Sequence, residues 1–96
     1  MTFELRGGET FVWNAGKARQ NELKHGIRFD EAASVFFDPL FVIVDARRND
    51  EARHAAIGLD ASSRLLYVVH IEIESSGIRI ISARRATSRE EDTYAQ

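Results

Sequence analysis

Residues 65–84 read LLYVVHIEIESSGIRIISAR, two apolar runs separated by a polar break at Ser75–Gly77. Both runs are rich in β-branched residues and have the length of strands, and a short polar segment that contains glycine is typical of a tight turn. We therefore predict two adjacent antiparallel strands, Leu65–Glu74 and Ile78–Arg84.

Two further strands are predicted upstream of this hairpin. Leu40–Asp45 is a β-branched run, and Arg53–Leu59 is followed by a turn at Asp60–Arg64. A short apolar stretch at Thr10–Trp13 also has the character of a strand. The runs from residue 40 onward predict a four-stranded, mostly antiparallel sheet that ends in a meander.

The strand at residues 65–74 alternates, so its side chains divide between two faces of the sheet. One face carries Leu65, Tyr67, Val69, Ile71 and Ile73. The other carries Leu66, Val68, His70, Glu72 and Glu74. Since the first set is entirely apolar or aromatic, we predict that it is buried and that the second set is partly exposed.

Helices are predicted before this sheet. Asn14 can cap a helix over residues 15–25, which Gly26 ends in the left-handed conformation. Asp30 can cap a second helix that stops at residues 38–39, because a proline disfavours helix in the residue before it. The first helix has few apolar residues, whereas the second has them at helical spacing.

A short terminal helix is predicted by a capping-box pattern, because Thr87 and Ser88 each stand three residues before a glutamate. Two to three helices beside a four-stranded sheet give an α+β fold with the helices on one face. The other face of the sheet is left open.

The length of 96 residues fits a single folding unit. We expect one domain over residues 11–96 and an N-terminal extension over residues 1–10, in which Gly7-Gly8 is typical of a turn. A hydrophobic share of 44% and a charged share of 29% are ordinary for a globular protein.

The sequence contains no cysteine, which excludes thiol catalysis, disulfides and thiolate metal sites. The N-terminus lacks the basic and apolar regions of a signal peptide, and no apolar run approaches the ~20 residues of a membrane span. These features predict a cytoplasmic protein.

Arginine dominates the positive charge. The net charge is −2, and 11 of the 13 basic residues are Arg. Residues 77–89 hold four Arg and no acid. Guanidinium groups suit two-point contacts with phosphate, although a high arginine content also arises from a GC-rich genome.

Several classes of chemistry lack a motif in this sequence. The three histidines stand far apart, and no metal-binding spacing, phosphate loop or nucleophile elbow occurs. We therefore predict no metal and no cofactor. A metal-free ribonuclease needs only a base for the 2′-hydroxyl, an acid for the leaving 5′-oxygen and cations for the phosphate, and such sites leave little local signature.

An ordered set of residues over 11–94 resembles the BrnT family of bacterial toxin–antitoxin systems. In the first half the matching elements are Trp13 to Lys17, Asn21, Lys24-His25-Gly26, Phe29, Glu31-Ala32 and Phe37-Asp38-Pro39. In the second half they are Arg53, Ile57-Gly58, Leu65 to His70, Arg79 to Arg84, Ala86, Glu90 and Tyr94. The resemblance implies a RelE-like fold, ribonuclease activity that arrests growth, and neutralisation by a ribbon-helix-helix antitoxin of the BrnA type.

Three arginines are candidate phosphate ligands: Arg79, Arg84 and Arg53. Arg79 and Arg84 are five positions apart, so they share a face only if a bulge near Ser82 or a strand end interrupts the alternation. The alternative is that one of these arginines fixes the terminal helix through a glutamate.

The candidates for proton transfer are His25, His70 and Glu72. His25 lies at a helix end beside Lys24, where cations also stabilise the helix dipole. His70 and Glu72 share a strand face, and the alternative for His70 is a partly buried structural role. His54 follows a charged loop and is expected to be solvated.

Four further residues are candidates for binding the substrate: Lys24, Arg85, Trp13 and Tyr94. Trp13 is either a core residue or a platform for a base, and Tyr94 is either an anchor for the last helix or a polar group beside the cleft. Asn21 is predicted to be a buried amide that joins the first helix to neighbouring backbone.

Two functions from different classes remain open. The first is an endoribonuclease toxin that cleaves single-stranded RNA without a metal. The second is a module of weak or no activity that binds its antitoxin and acts as co-repressor on operator DNA, with the antitoxin making the DNA contacts. A general RNA-binding domain is disfavoured because the chain lacks a pair of exposed aromatics on which bases stack.

Overall fold

The computed structural model describes residues 2–4, 8–73 and 77–96, and these form six strands and three α-helices. The strands are β1 (Thr2–Glu4), β2 (Thr10–Val12), β3 (Val42–Asp45), β4 (His54–Leu59), β5 (Leu65–Ile73) and β6 (Gly77–Arg85). The helices are α1 (Ala15–His25), α2 (Phe29–Ser34) and α3 (Ser88–Ala95), and a 3-10 turn at Val35–Phe37 extends α2.

The strands form one mixed sheet in the order β1-β2-β6-β5-β4-β3. The meander β4-β5-β6 is antiparallel as predicted, but β2 pairs with β6 in parallel, with Phe11 opposite Ile78. The sheet is mostly antiparallel as expected, with four antiparallel pairings and one parallel pairing among the described strands, but the expectation of four strands is corrected to six. Pairing between β2 and β6 joins residues 67 positions apart, such as Phe11 and Ile78, and a local pattern does not contain that information.

Helix α1 confirms the prediction from its caps. The Asn14 side chain accepts a hydrogen bond from the Lys17 N–H at 3.0 Å, and Gly26 ends the helix at a φ of 72°. A left-handed residue at this position costs least when it is glycine, because there is no Cβ to clash.

Helix α2 begins two residues earlier than the sequence predicts. Arg28, not Asp30, is the capping residue, because the Glu31 carboxylate accepts a hydrogen bond from the Arg28 N–H at 2.8 Å. Asp30 lies instead in the first turn and pairs with the Arg28 side chain at 3.1 Å. The terminal helix α3 begins at the predicted capping box of Thr87 and Glu90.

The core lies between the helices and one face of the sheet. Its aromatic and aliphatic side chains are packed around alanines, which allow the helices to approach the strands closely. The cluster consists of Phe11, Trp13, Ile27, Phe29, Ala32, Ala33, Val35, Ala56, Leu66, Val68, Ile80 and Ala83.

The two faces of β5 are reversed relative to the prediction. Leu66, Val68 and His70 point towards the helices and are buried, whereas Leu65, Tyr67 and Val69 on the other face are only partly buried. Alternation separated the two sets correctly but did not identify the covered one. A buried histidine is tolerated here because its polar atom has a hydrogen-bond partner.

None of the helices within the described ranges is long and apolar enough to cross a membrane.

Candidate functional site

A groove rich in arginine lies on the open face of the sheet, over β5 and β6. We call it the Arg groove; it has a volume of 390 Å³ and its wall contains four arginines and no acid. It is lined by Ala46, Arg47, Arg48, Arg53, Tyr67, Val69, Ser82 and Arg84. A concave surface of this composition attracts an anion.

A β-bulge sets the direction of the arginines on β6. Opposite Val69 and His70 the register of β6 skips Ile81, so that Arg84 pairs with Tyr67 and Arg79 pairs with Ile71. Because Tyr67 and Ile71 share a face of β5, both arginines point to the open face. Of the two interruptions that the sequence leaves open, a bulge near Ser82 and a strand end, the structure has the bulge.

Arg84 is held by Glu90 and Tyr67, and its Nη1 also donates to the Arg85 carbonyl oxygen at 3.2 Å. Its guanidinium makes two hydrogen bonds to the Glu90 carboxylate, at 2.8 and 2.9 Å, and lies over the Tyr67 ring at 4.2 Å from the centroid. The hydrogen bonds to Glu90 raise the pKa of Arg84 above its ordinary value. Arg84 therefore anchors the start of α3, as the structural alternative predicts, while also lining the Arg groove.

Arg53 joins Arg84 in this groove, whereas Arg79 does not line it. The Arg53 Nε donates to the Glu51 carboxylate at 2.7 Å, so this arginine is also partly neutralised. Arg79 is exposed further along β6. Of the three predicted phosphate ligands, two therefore share one cavity.

A second groove, the α1 groove, lies where α1 packs beside β6. It has a volume of 260 Å³ and is lined by Lys17, Gln20, Asn21, Lys24, His25, Ile81 and Ser82. Lys24 and His25 thus share one cavity, although neighbouring helical residues need not do so. Ser82 lines both this groove and the Arg groove, so the two cationic surfaces meet at that residue.

Asn21 fixes α1 in this position, as predicted. Its side-chain amide donates to the backbone oxygens of Ile27 and Ala83 at 3.0 and 2.9 Å, and its oxygen accepts from the Ala83 N–H at 3.0 Å. Two of these hydrogen bonds satisfy the Ala83 backbone at an edge of β6 where none of the described strands pairs with it, and the third ties the amide to the loop after α1. The polar helix α1 is therefore attached to the sheet without a wide apolar face.

His70 lies in the core, away from both grooves. It is 1% exposed, its ring packs edge-on to Phe36, and its Nδ1 donates to the Val68 carbonyl at 3.1 Å. Burial lowers the pKa of His70. A neutral imidazole with no access to solvent cannot exchange protons with a substrate, so we correct the expectation of a partly exposed His70.

The remaining candidates are dispersed. Glu72 is exposed opposite Ile78, and Arg85 pairs with Leu66 and so lies on the opposite face of β6 from Arg84. Neither residue lines the two cationic grooves.

The two aromatic candidates serve the fold. Trp13 is 8% exposed and packs edge-on against Phe29, which corrects the alternative of a base-stacking platform. The Tyr94 hydroxyl donates to the Asp38 carboxylate at 2.7 Å. Tyr94 therefore anchors α3, and it does so through its hydroxyl group.

Sequence reasoning missed four residues that line the Arg groove: Arg47, Arg48, Tyr67 and Ser82. The Arg47-Arg48 pair is the available signal, but the loop at residues 45–51 also contains three acids, which hide the excess of arginine in this part of the sequence. Tyr67 was assigned to the buried face together with the rest of its set.

Comparison with known proteins identifies the family. The family model described as "Ribonuclease toxin, BrnT, of type II toxin-antitoxin system" matches residues 13–90. The chain is similar in structure to the ribonuclease toxin BrnT of Brucella abortus, with a TM-score of 0.64 and 21% identity over 81% of this chain and 96% of that one. A comparison with curated protein sequences gives no significant match.

Proposed function

The chain belongs to the BrnT family of ribonuclease toxins from type II toxin–antitoxin systems, and on this premise we propose that it cleaves single-stranded RNA across its two cationic grooves. The observation that carries the proposal is the shared wall at Ser82, which joins the Arg groove to the α1 groove. A phosphodiester lying over Ser82 has arginines on one side and Lys24 and His25 on the other.

The proposed reaction needs no metal. A base takes the proton of the 2′-hydroxyl, the 2′-oxygen attacks phosphorus, and the 5′-oxygen leaves as a hydroxyl after it receives a proton. The products are a 2′,3′-cyclic phosphate and a 5′-hydroxyl. The negative charge that develops on the phosphate oxygens is stabilised by fixed cations.

We assign these roles to residues that line the grooves. His25 transfers the proton from the 2′-hydroxyl to the leaving 5′-oxygen, because imidazole is the side chain that most often serves as general base and acid. His25 lines the α1 groove, whereas His70 is buried. Lys24, Arg53 and Arg84 hold the phosphate. The Arg84 fork is occupied by Glu90, so RNA must compete with that carboxylate for the same donors.

The rest of the proposal follows the family. We infer a RelE-like toxin domain over residues 11–96, to which Thr2–Glu4 of the N-terminal extension adds an edge strand. It acts in the cytoplasm and is neutralised by a ribbon-helix-helix antitoxin of the BrnA type, which carries the complex to operator DNA.

One observation favours the second candidate, an inactive co-repressor. Two of the four arginines that line the Arg groove are each paired with a glutamate: Arg84 with Glu90, and Arg53 with Glu51. These ion pairs reduce the positive charge that is available to RNA. In that case the toxin fold serves only to bind the antitoxin.

Expression in bacteria separates the two candidates. Inducing this chain alone should stop growth, and co-inducing the protein encoded by the adjacent reading frame should restore it. His25→Ala should abolish the arrest, whereas the matched variant His54→Ala, at an exposed histidine outside both grooves, should arrest growth like the wild type. Unchanged growth with folded protein present in the cells would contradict the toxin proposal and favour the co-repressor.

A further inference from the structure

A third groove lies at the end of β4, beside α2 and the 3-10 turn, and differs in charge from the other two. We call it the acidic groove; its volume is 350 Å³. It is lined by Asp30, Ser34, Phe37, Asp38, Leu59, Asp60, Ala61 and Ser63. Three lining residues are acids and none is a cation, so the groove offers no cationic side chain to an RNA phosphate.

The acidic groove is bordered by exposed apolar side chains. Phe37 is 44% exposed, Leu59 37% and Leu40 68%. The backbone N–H groups of Leu40 and Leu59 both donate to the Asp38 carboxylate, at 2.9 and 2.8 Å, which places the two leucines at the same carboxylate. Phe37 and Leu59 line the groove and Leu40 lies beside it, next to Asp38; we call these three exposed residues the apolar patch, since exposed apolar side chains grouped at one site commonly mark protein interfaces.

Asp38 supplies a negative charge beside this patch that is stabilised by hydrogen bonds but not by an ion pair with a described residue. Its carboxylate also accepts from the Tyr94 hydroxyl at 2.7 Å, but in the part of the chain that the structure describes no cationic side chain forms an ion pair with it. The other two acids differ, because Asp60 pairs with Arg64 and Asp30 with Arg28. A ligand that brings a positive charge to Asp38 would complete the set.

We propose that the acidic groove binds the protein antitoxin, through a segment that lays an apolar side chain over Phe37 and Leu59 and a lysine or arginine beside Asp38. This inference rests on the proposed function, which supplies an antitoxin as partner. A second copy of this chain fits less well, because a symmetric contact through this patch brings the two acidic walls together.

The acidic groove and the Arg groove share no lining residue, but helix α3 contacts residues of both. Glu90, near the start of α3, binds Arg84 in the Arg groove, and Tyr94, near its end, binds Asp38 in the acidic groove. A segment bound at Asp38 therefore contacts the same helix that positions the Arg groove. The antitoxin can recognise the toxin here while another part of it covers the cationic surface.

Isothermal titration calorimetry with the protein encoded by the adjacent reading frame tests the inference. Leu40→Lys removes an apolar contact and adds a positive charge, and it should raise the Kd about tenfold or more. Leu59→Ser should also raise the Kd. The matched control is Leu23→Lys on α1, where the leucine is 82% exposed and outside the acidic groove, and it should bind like the wild type.

The outcomes separate this inference from the proposed function. If the wild type cleaves RNA and binds the antitoxin, but Leu40→Lys and Leu59→Ser bind equally well, only the docking inference is overturned. It is also overturned if sedimentation shows a dimer of the isolated chain that Leu40→Lys dissociates, since the patch then belongs to a second copy. A wild type that binds the antitoxin through this patch without cleaving RNA supports the docking and contradicts the ribonuclease.

Discussion

Arg84→Ala should lower the rate of RNA cleavage about a hundred- to a thousandfold, the usual cost of removing one donor that stabilises charge in the transition state. Arg84→Lys should recover only part of this loss. Lysine keeps the charge but lacks the planar fork that binds two phosphate oxygens at once. The rate is measured on purified variants with a labelled single-stranded RNA.

Glu90→Gln distinguishes this role from a purely structural one. Arg84 and Glu90 are partly exposed, with side-chain exposures of 36% and 17%, so their pair should contribute at most about 1 kcal/mol to the free energy of unfolding. If Arg84 binds phosphate, Glu90→Gln frees the guanidinium and should cleave at least as fast as the wild type. If Arg84 only anchors α3, the two variants should lose the same small amount of activity.

A matched arginine controls for charge alone. Arg89→Ala removes an exposed arginine of α3 that lines neither cationic groove, and it should leave cleavage within a fewfold of the wild type. Wild-type cleavage by Arg84→Ala with an unchanged melting curve would refute the phosphate-binding role. Equal losses in Arg84→Ala and Glu90→Gln would refute it as well.

Asn21→Asp should destabilise the fold by about 3–5 kcal/mol, a large part of the stability of a small domain. The substitution keeps the shape of the side chain but removes the amide that donates to the Ile27 and Ala83 carbonyls. It also places a carboxylate against those two oxygens at a position that is 7% exposed. Urea denaturation followed by circular dichroism measures the loss.

The neighbouring residue offers the same chemical change without burial. Gln20→Glu also converts an amide into an acid on α1, but Gln20 is exposed, so the free energy of unfolding should change by no more than about 0.5 kcal/mol. If Asn21→Asp were as stable as Gln20→Glu, the attachment of α1 would have to come from other contacts.

Local signals in the sequence predicted the helices well. The limits of α1 follow from Asn14 and Gly26, and the start of α3 follows from Thr87 and Glu90, because caps are satisfied within a few residues. The strands from Thr10 onward are likewise predicted by local runs of β-branched and aromatic residues, whereas the strand at Thr2–Glu4 is not predicted. The number of strands in the sheet could not be predicted in this way, because β2, the parallel partner of β6, lies at the other end of the chain.

The candidate site was predicted in part. The arginines and the bulge that aligns them can be inferred from the spacing of Arg79 and Arg84 on one strand. Which face of the sheet the helices cover depends on tertiary packing, which the alternation of one strand does not reveal. Because the wrong face of β5 is predicted to be buried, both His70 and Tyr67 are assigned to the wrong side of the sheet. The pairing of Arg84 with Glu90 was among the alternatives, but only side-chain geometry shows that it is present.

Cleavage of a single-stranded RNA by the purified wild-type chain in excess EDTA tests the central claim most directly. A parallel reaction with His25→Ala controls for contaminating nucleases. We predict fragments that end in a 2′,3′-cyclic phosphate and begin with a 5′-hydroxyl, at an undiminished rate in the chelator and absent from the His25→Ala reaction. Intact RNA, or cleavage that EDTA abolishes and a divalent cation restores, would contradict the account.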